Sequence, residues 1–286
     1  MDTDTFDREP LRIAITGGTS GLGLALVEIL HRRGDQVAFV ARDAERVART
    51  ARRLAGSHGI VGDVARKDDA HRIALQVSAA LGGLDVLVNN ASSLGPVPLR
   101  PLADTDCEDL ETALATNLLG PFRLTKALLG ALTASARNSR LPGQRAVVIN
   151  IGSDAALTPY AGWGAYGASK AALTHLSRIW DEELQPHGVR VLALDPGDMD
   201  TPLHALALPD ADPSTLKRPH DAAIEILEAI DVARRSVAAG SDGAGPAASN
   251  ADSGDASRNA AAAASGDAEG SAGTADAIAV RTAVAT

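Results

Sequence analysis

The sequence predicts an α/β protein built on a doubly wound parallel sheet, and three observations carry that prediction. From Leu11 to Ala193, short runs rich in β-branched residues alternate with longer Ala/Leu-rich stretches. The short runs are apolar throughout, as strands covered by helices on both faces must be. A chain of 286 residues with 45% apolar content also has the material for one large domain with a real core.

Strand candidates follow in order: RIAIT from Arg12, QVAFVA from Gln36, GIVG from Gly59, LDVLVNN from Leu84, RAVVINI from Arg145 and VRVLALD from Val189. Helix signals fall between them. Asp43 precedes AERVARTARRL as an N-cap, since its carboxylate accepts the free amide hydrogens of a first turn. Thr105 precedes DCEDLETALATNLLGPFRLTKALLGAL, whose acidic start suits the positive end of a helix dipole. Pro121 falls inside that stretch, and the backbone donor it lacks predicts a bend.

The domain is expected over residues 11–236, after an N-terminal extension over 1–10. Past about Val237 the composition turns to Ala, Gly, Ser, Asp and Asn. With almost no bulky apolar side chain to offset the entropy of ordering, 237–277 reads as a disordered linker. Residues 278–286 regain β-branched character and read either as a seventh strand at the sheet edge or as the end of the same tail.

A net charge of −9 argues against sequence-independent binding of nucleic acid or of anionic membrane, both of which need a basic face. The single cysteine, Cys107, excludes an internal disulfide and a cysteine-rich zinc site, and no metal is expected. The acidic start MDTDTFDREP lacks the basic and apolar regions of a secretory signal, and no apolar run is long enough to span a bilayer. A cytoplasmic protein is therefore expected.

Two stretches carry chemistry. After the first strand, TGGTSGLGLALVEIL opens directly into an amphipathic helix. A turn without side chains at Gly17 and Gly21 lets a pyrophosphate approach backbone amides at the helix N-terminus, while Gly23 allows close packing of helix on strand. Strand two ends in FVARDAER, where an acidic residue would take the ribose hydroxyls of NAD. Here Ala41 is followed by Arg42, whose guanidinium suits a 2′-phosphate, so NADP(H) is favoured over NAD(H). The alternative is a solvated Arg42 with Asp43 on the ribose.

The second stretch is GWGAYGASKAAL, in which Tyr166 and Lys170 share one helix face at a spacing of four. An ammonium beside a phenol favours the phenolate and is expected to lower its pKa. Upstream, RAVVINIGS ends in Ser153 at the carboxyl edge of the sheet, where its hydroxyl can reach a substrate oxygen.

Together these residues resemble the short-chain dehydrogenase/reductase family in its compact single-domain form, a Rossmann fold. The resemblance runs from about Leu11 to Thr201. It rests on Thr16, Gly17, Gly21 and Gly23 of the glycine motif, Asp63 in GDV, Asn89, Asn90 and Ala91, Asn117 in TNLLGPF, and Ser153 with Tyr166 and Lys170. Ser153 precedes Tyr166 by 13 residues, as in the family. Ser92 stands where the family usually has glycine after Asn-Asn-Ala.

The resemblance implies hydride transfer between a nicotinamide and a carbonyl or alcohol carbon. Tyr166 would be the acid–base, with Lys170 lowering its pKa and holding the nicotinamide ribose. Ser153 would steady the substrate oxygen, and Asn117 would hold a water of the proton relay. The cofactor would lie on Thr16, Gly17, Thr19, Ser20, Gly21, Leu22, Gly23, Arg42, Asp63, Val64, Asn89 and Ala91, and on Pro196, Gly197, Met199 and Thr201 of PGDMDT. A homodimer or homotetramer acting on a small or medium, apolar molecule is implied as well. His204, in the Leu/Pro-rich segment after Thr201, reads as a loop residue. A regulator of the same fold that binds a dinucleotide without turnover stays open as the alternative.

Overall fold

The structure, a computed structural model, describes residues 9–139, 143–235 and, as backbone, 281–282. Most of the expected extension, linker and tail therefore lies outside the described residues. Six parallel strands form the sheet: β1 (Arg12–Thr16), β2 (Gln36–Ala41), β3 (His58–Val61), β4 (Val86–Asn89), β5 (Ala146–Ile151) and β6 (Val189–Asp195). A two-residue β7 (Arg281–Thr282) pairs antiparallel with the end of β6.

The strand order β3-β2-β1-β4-β5-β6 reverses direction between β1 and β4, which opens a crevice beyond the carboxyl ends of those strands. Side chains alternate across the sheet with the period of the pleat. Ile13 and Ile15, Val86 and Val88, and Val147 and Ile149 pack on one face with α1 (Gly21–Arg32) and α8 (Pro219–Arg234). Ala14, Leu87 and Val148 pack on the other with α3 (Lys67–Leu81) and α5 (Gly120–Arg137). The remaining helices are α2 (Ala44–Arg53), α4 (Cys107–Leu114), α6 (Gly164–Leu184) and α7 (Pro202–Ala207).

Two details depart from expectation, each for a local reason. The N-cap position of α4 is Asp106, while Thr105 turns its hydroxyl back to the Pro101 carbonyl at 3.0 Å. The interruption predicted at Pro121 lies just before it, as a π-helical turn over Ala115–Leu119 in which the Gly120 amide reaches back to Ala115. Proline has no amide hydrogen for the Asn117 carbonyl four residues earlier, so the ladder slips to the wider spacing there.

Among the described residues, no helix is long and apolar enough to cross a membrane. No group of three or more His, Cys, Asp or Glu side chains is placed to hold a metal there either.

Candidate active site

A groove of about 800 Å³ runs along the carboxyl edge of the sheet across the switch between β1 and β4. Its floor begins at the glycine turn. Gly17 and Gly18 donate to the Val40 carbonyl at 2.8 and 3.2 Å, which bends the chain sharply away from β1. Gly17 has φ +71°, and a Cβ there would meet Asn90 Nδ2 at 2.8 Å. At Gly23 a Cβ would collide with the Gly17 carbonyl, so this glycine sets how closely α1 approaches the turn. Ser20, the N-cap of α1, makes no side-chain capping bond, which leaves first-turn amides facing the groove. A cradle with glycine at its closest approaches, on uncapped helix amides, fits the pyrophosphate of a dinucleotide.

At the α2 end the wall is charged and wet. Arg42 is exposed and lines the groove. Asp43 Oδ1 accepts from the Arg46 amide at 3.0 Å and Oδ2 lies 3.5 Å from Arg46 Nε. The Arg46 amide bond holds the Asp43 carboxyl below its ordinary value. Asp43 is thus engaged as the cap of α2, as expected from its place before the helix. Arg46, in the first turn of α2, also lines the groove and was missed by sequence reasoning. The available signal was its place in the first turn of the helix that Asp43 caps.

At the other end, α6 brings Tyr166 and Lys170 under the groove. Tyr166 is 8% exposed and Lys170 is 2% exposed, with Lys170 Nζ 5.4 Å from the centre of the Tyr166 ring. Nζ donates to the Ile151 carbonyl at 2.7 Å, which ties α6 to the end of β5.

The electrostatics here correct the sequence expectation. Burial pushes the Tyr166 phenol up to about 12, although the Ser153 and Ser92 hydroxyls hydrogen-bond it in the opposing direction. Burial likewise pulls Lys170 down to about 8, against the field of Asp195. Both groups lose water on folding, and desolvation favours the neutral form of each. The nearby ammonium does not offset that loss.

The structure brings most of the predicted residues to one surface. Gly17, Thr19, Ser20, Gly21, Leu22, Arg42, Asp63, Val64 and Ala91 line the groove, as do Ser153, Tyr166, Lys170, Pro196, Gly197, Met199 and Thr201. Thr201 Oγ1 also caps α7, accepting from the His204 amide at 3.2 Å, and His204 itself faces the groove.

Four predicted residues stand behind that surface. Thr16 is buried, its Oγ1 accepting from the amides of Asn90 and Ala91 at 3.0 Å each, and Gly23 is buried beneath the turn. Asn89 does not line the groove: its side chain turns inward and donates to Asn150 Oδ1 at 2.8 Å. Its neighbour Asn90 lines the groove instead, with Nδ2 donating to the Thr16 carbonyl at 2.9 Å.

Asn117 is also buried, on the π-helical turn. Oδ1 accepts from the Ser93 amide at 2.8 Å and from the Ser92 hydroxyl at 3.2 Å, and Nδ2 donates to the Ser93 carbonyl and the Ser169 hydroxyl. Its side chain is committed to holding the Ser92–Ser93 segment against α6. Ser92, Tyr160 and Trp163 also line the groove and were not predicted as site residues.

The sequence profile of the short chain dehydrogenase family matches residues 12–211. Serine 3-dehydrogenase from Agrobacterium fabrum is 34% identical over 191 residues, 66% of this chain and 72% of that protein. The crystal structure of 3-ketoacyl-(acyl-carrier-protein) reductase from Brucella melitensis, complexed with NADH, superposes with a TM-score of 0.68 at 26% identity. It covers 75% of this chain and 88% of its own. A short chain dehydrogenase from Escherichia coli CFT073, complexed with NADPH, gives a TM-score of 0.69 at 25% identity over 78% of this chain and 92% of its own.

Proposed function

The chain belongs to the short-chain dehydrogenase/reductase family and is a nicotinamide-dependent oxidoreductase, and on that premise we propose an NADP(H)-dependent enzyme that interconverts a carbonyl and an alcohol on a small or medium, apolar substrate. The observation that carries this reading is one buried phenol, Tyr166, that faces the groove between two hydroxyls with an ammonium beneath its ring.

When bound, the nicotinamide supplies a hydride to the substrate carbon, or takes one from it. Tyr166 moves the proton. With its pKa near 12 the phenol is protonated at neutral pH, so in the reductive direction it donates its proton to the oxygen on which charge develops. Ser153 Oγ orients that oxygen. The phenolate left behind is stabilised by the Ser92 and Ser153 hydroxyls and by Lys170, which still carries most of its charge at pH 7 with a pKa near 8. Lys170 also fixes the helix that presents the phenol, through its bond to Ile151. Asn117 acts one step away, by positioning Ser92.

NADP(H) over NAD(H) is supported by Arg42 and Arg46 on the same wall and by the engagement of Asp43 in its own helix cap. The reading extends to a cytoplasmic protein that forms a homo-oligomer, the assembly alone being supported by the exposed apolar side chains of Leu119, in the π-helical turn, and Ile179, on α6. Light scattering of the full chain tests the assembly.

The test of function is titration with NADPH and NADH followed by turnover against a panel of ketones, with Tyr166→Phe as the control. Loss of one positioned proton donor is expected to lower kcat by about 10²- to 10⁴-fold with cofactor binding retained. A Tyr166→Phe enzyme of undiminished kcat would remove the phenol from the mechanism, and failure of both cofactors to bind would refute the reading whole.

A further inference from the structure

The chain spends its aromatic residues unevenly. It has 2 tyrosines, 2 tryptophans and 3 phenylalanines, yet both tyrosines and one tryptophan line the same end of the groove. Tyr160, Trp163 and Tyr166 follow one another as a ladder, with ring centres 6.2 and 5.7 Å apart and planes tilted by 57° and 66°. The inner ring is the buried phenol of the mechanism, and Trp163 packs on it edge-on. Tyr160 is 44% exposed, and its hydroxyl donates to Asp154 Oδ2 at 2.7 Å, so the ring is pinned with a face turned to water. Across from the ladder, α7 and its end present Leu203, Leu206, Ala207 and Leu208, of which Leu206 and Leu208 are exposed.

The accessible charges of the lining at this end are carboxylates, and the nearby Lys217 ammonium is already bonded to Glu225 and the Pro196 carbonyl. Asp154, Asp195 and Asp198 line this end, and His204 Nε2 stands 4.0 Å from Asp198. The arginines of the lining are at the α2 end, and Lys170 is buried with its Nζ bonded to Ile151. A substrate carboxylate or phosphate would meet carboxylates here with no exposed lysine or arginine of the lining to pair with. An aliphatic chain would leave the pinned ring face only partly covered, whereas a flat ring can stack on it.

We propose that Tyr160 and Trp163, facing Leu203 and Leu206, form a ring-binding subsite beside Tyr166 that selects uncharged ketones or alcohols bearing a flat ring next to the reacting carbon. The proposal rests on the oxidoreductase reading. It explains why the exposed tyrosine is tied to Asp154. That carboxylate also accepts from the Ser153 hydroxyl at 3.2 Å, so the residue that fixes the ring wall is in register with the residue that orients the oxygen.

The experiment uses the full chain with NADPH and three ketones: acetophenone, 2-octanone of equal carbon count, and 4-acetylbenzoate, which adds only a carboxylate to the first. The expected kcat/KM for acetophenone exceeds each of the others by about tenfold, the range of one to two aromatic contacts. Tyr160→Ala is expected to raise KM for acetophenone about fivefold and KM for 2-octanone by less than about twofold, with any change in kcat through Asp154 and Ser153 common to both ketones. Tyr160→Phe restores the ring without the hydroxyl and is expected to restore the preference. Acetophenone added to the NADP⁺-loaded protein, where no turnover occurs, is expected to quench a tryptophan signal that Trp163→Phe removes.

Equal rises in KM for both neutral ketones in Tyr160→Ala, or 4-acetylbenzoate turned over as well as acetophenone, would overturn the subsite while leaving the oxidoreductase reading intact. Quenching without turnover of any ketone would support the subsite and overturn that reading instead. An unquenched Trp163 would overturn the subsite whatever the turnover.

Discussion

Arg42 and Lys170 are cations on the wall of one groove, but Arg42 is exposed to water while Lys170 is 2% exposed. The same charge therefore does different work at the two ends. Arg42 keeps its hydration, costs folding little, and gains its value only when a phosphate arrives. Lys170 gives up its water when the chain folds and holds a charge that the folded state disfavours. One end is a ligand contact added to a stable surface. The other is a destabilising feature that the fold carries for chemistry.

The sharpest way to test that contrast is stability against pH. Lys170 falls from an ordinary 10.5 to about 8 on folding. Below pH 8 both states hold the proton and the desolvation cost is present in full. Between pH 8 and 10.5 the unfolded chain holds the proton and the folded chain releases it, so this group makes stability rise with pH. The rise approaches about 3 kcal/mol by the end of that window. Above pH 10 the Tyr166 phenol, raised to about 12, acts the other way: the unfolded chain loses its proton first, and stability falls as pH rises toward 12. Urea unfolding from pH 7 to 10 is expected to show the rise in the wild type and a flattened curve in Lys170→Met. Parallel curves would mean that the ammonium is not desolvated.

Arg42→Ala probes the wet end and is expected to act on binding alone. Charge-assisted hydrogen bonds to a phosphate are worth about 1.5–3 kcal/mol, so the Kd for NADPH should rise by roughly ten- to a hundredfold while that for NADH stays within about twofold. Arg46→Ala, with its guanidinium partly engaged by Asp43, is expected to cost NADPH about threefold. Both effects should shrink with added salt, as contacts at an exposed site do. Equal weakening of NADPH and NADH by Arg42→Ala would remove the 2′-phosphate from the account.

Each end has parts that the sequence makes readable and parts that it does not. The strand-turn-helix of β1 and α1, the cap at Asp43 and the Tyr166–Lys170 pair are local patterns, fixed by residues within one or two turns of each other. Asn89 and Asn90 are not. Which of them meets the groove depends on the pairing of Asn89 with Asn150 across the sheet, which hands the first asparagine to a buried polar network. The direction of the Tyr166 shift depends in the same way on distant residues, because Leu94, Ala155 and Ala207, from three other parts of the chain, close over the ring. Spacing identifies the pair, but burial decides its protonation.

Ser92 gives the smallest expected effect and the most direct reading of the buried end. A serine hydroxyl has one hydrogen to give. While Tyr166 is neutral, that hydrogen goes to Asn117 Oδ1 at 3.2 Å, and the Ser92 oxygen is free to accept from the phenol. Once the phenolate forms, the hydrogen can turn to it, and Asn117 Oδ1 keeps the Ser93 amide at 2.8 Å. Neither state leaves a buried acceptor without a partner, so Ser92 favours the phenolate at little cost to Asn117. Ser92→Ala should therefore raise the apparent pKa for alcohol oxidation by about half a pH unit, the worth of one hydrogen bond, and lower the rate about threefold where phenolate is scarce. NADPH affinity and unfolding midpoint should hardly change, and Ser92→Thr, which keeps the hydroxyl, should retain the wild-type profile. Superimposable pH profiles for the wild type and Ser92→Ala would mean that the hydroxyl serves only to hold its loop on Asn117.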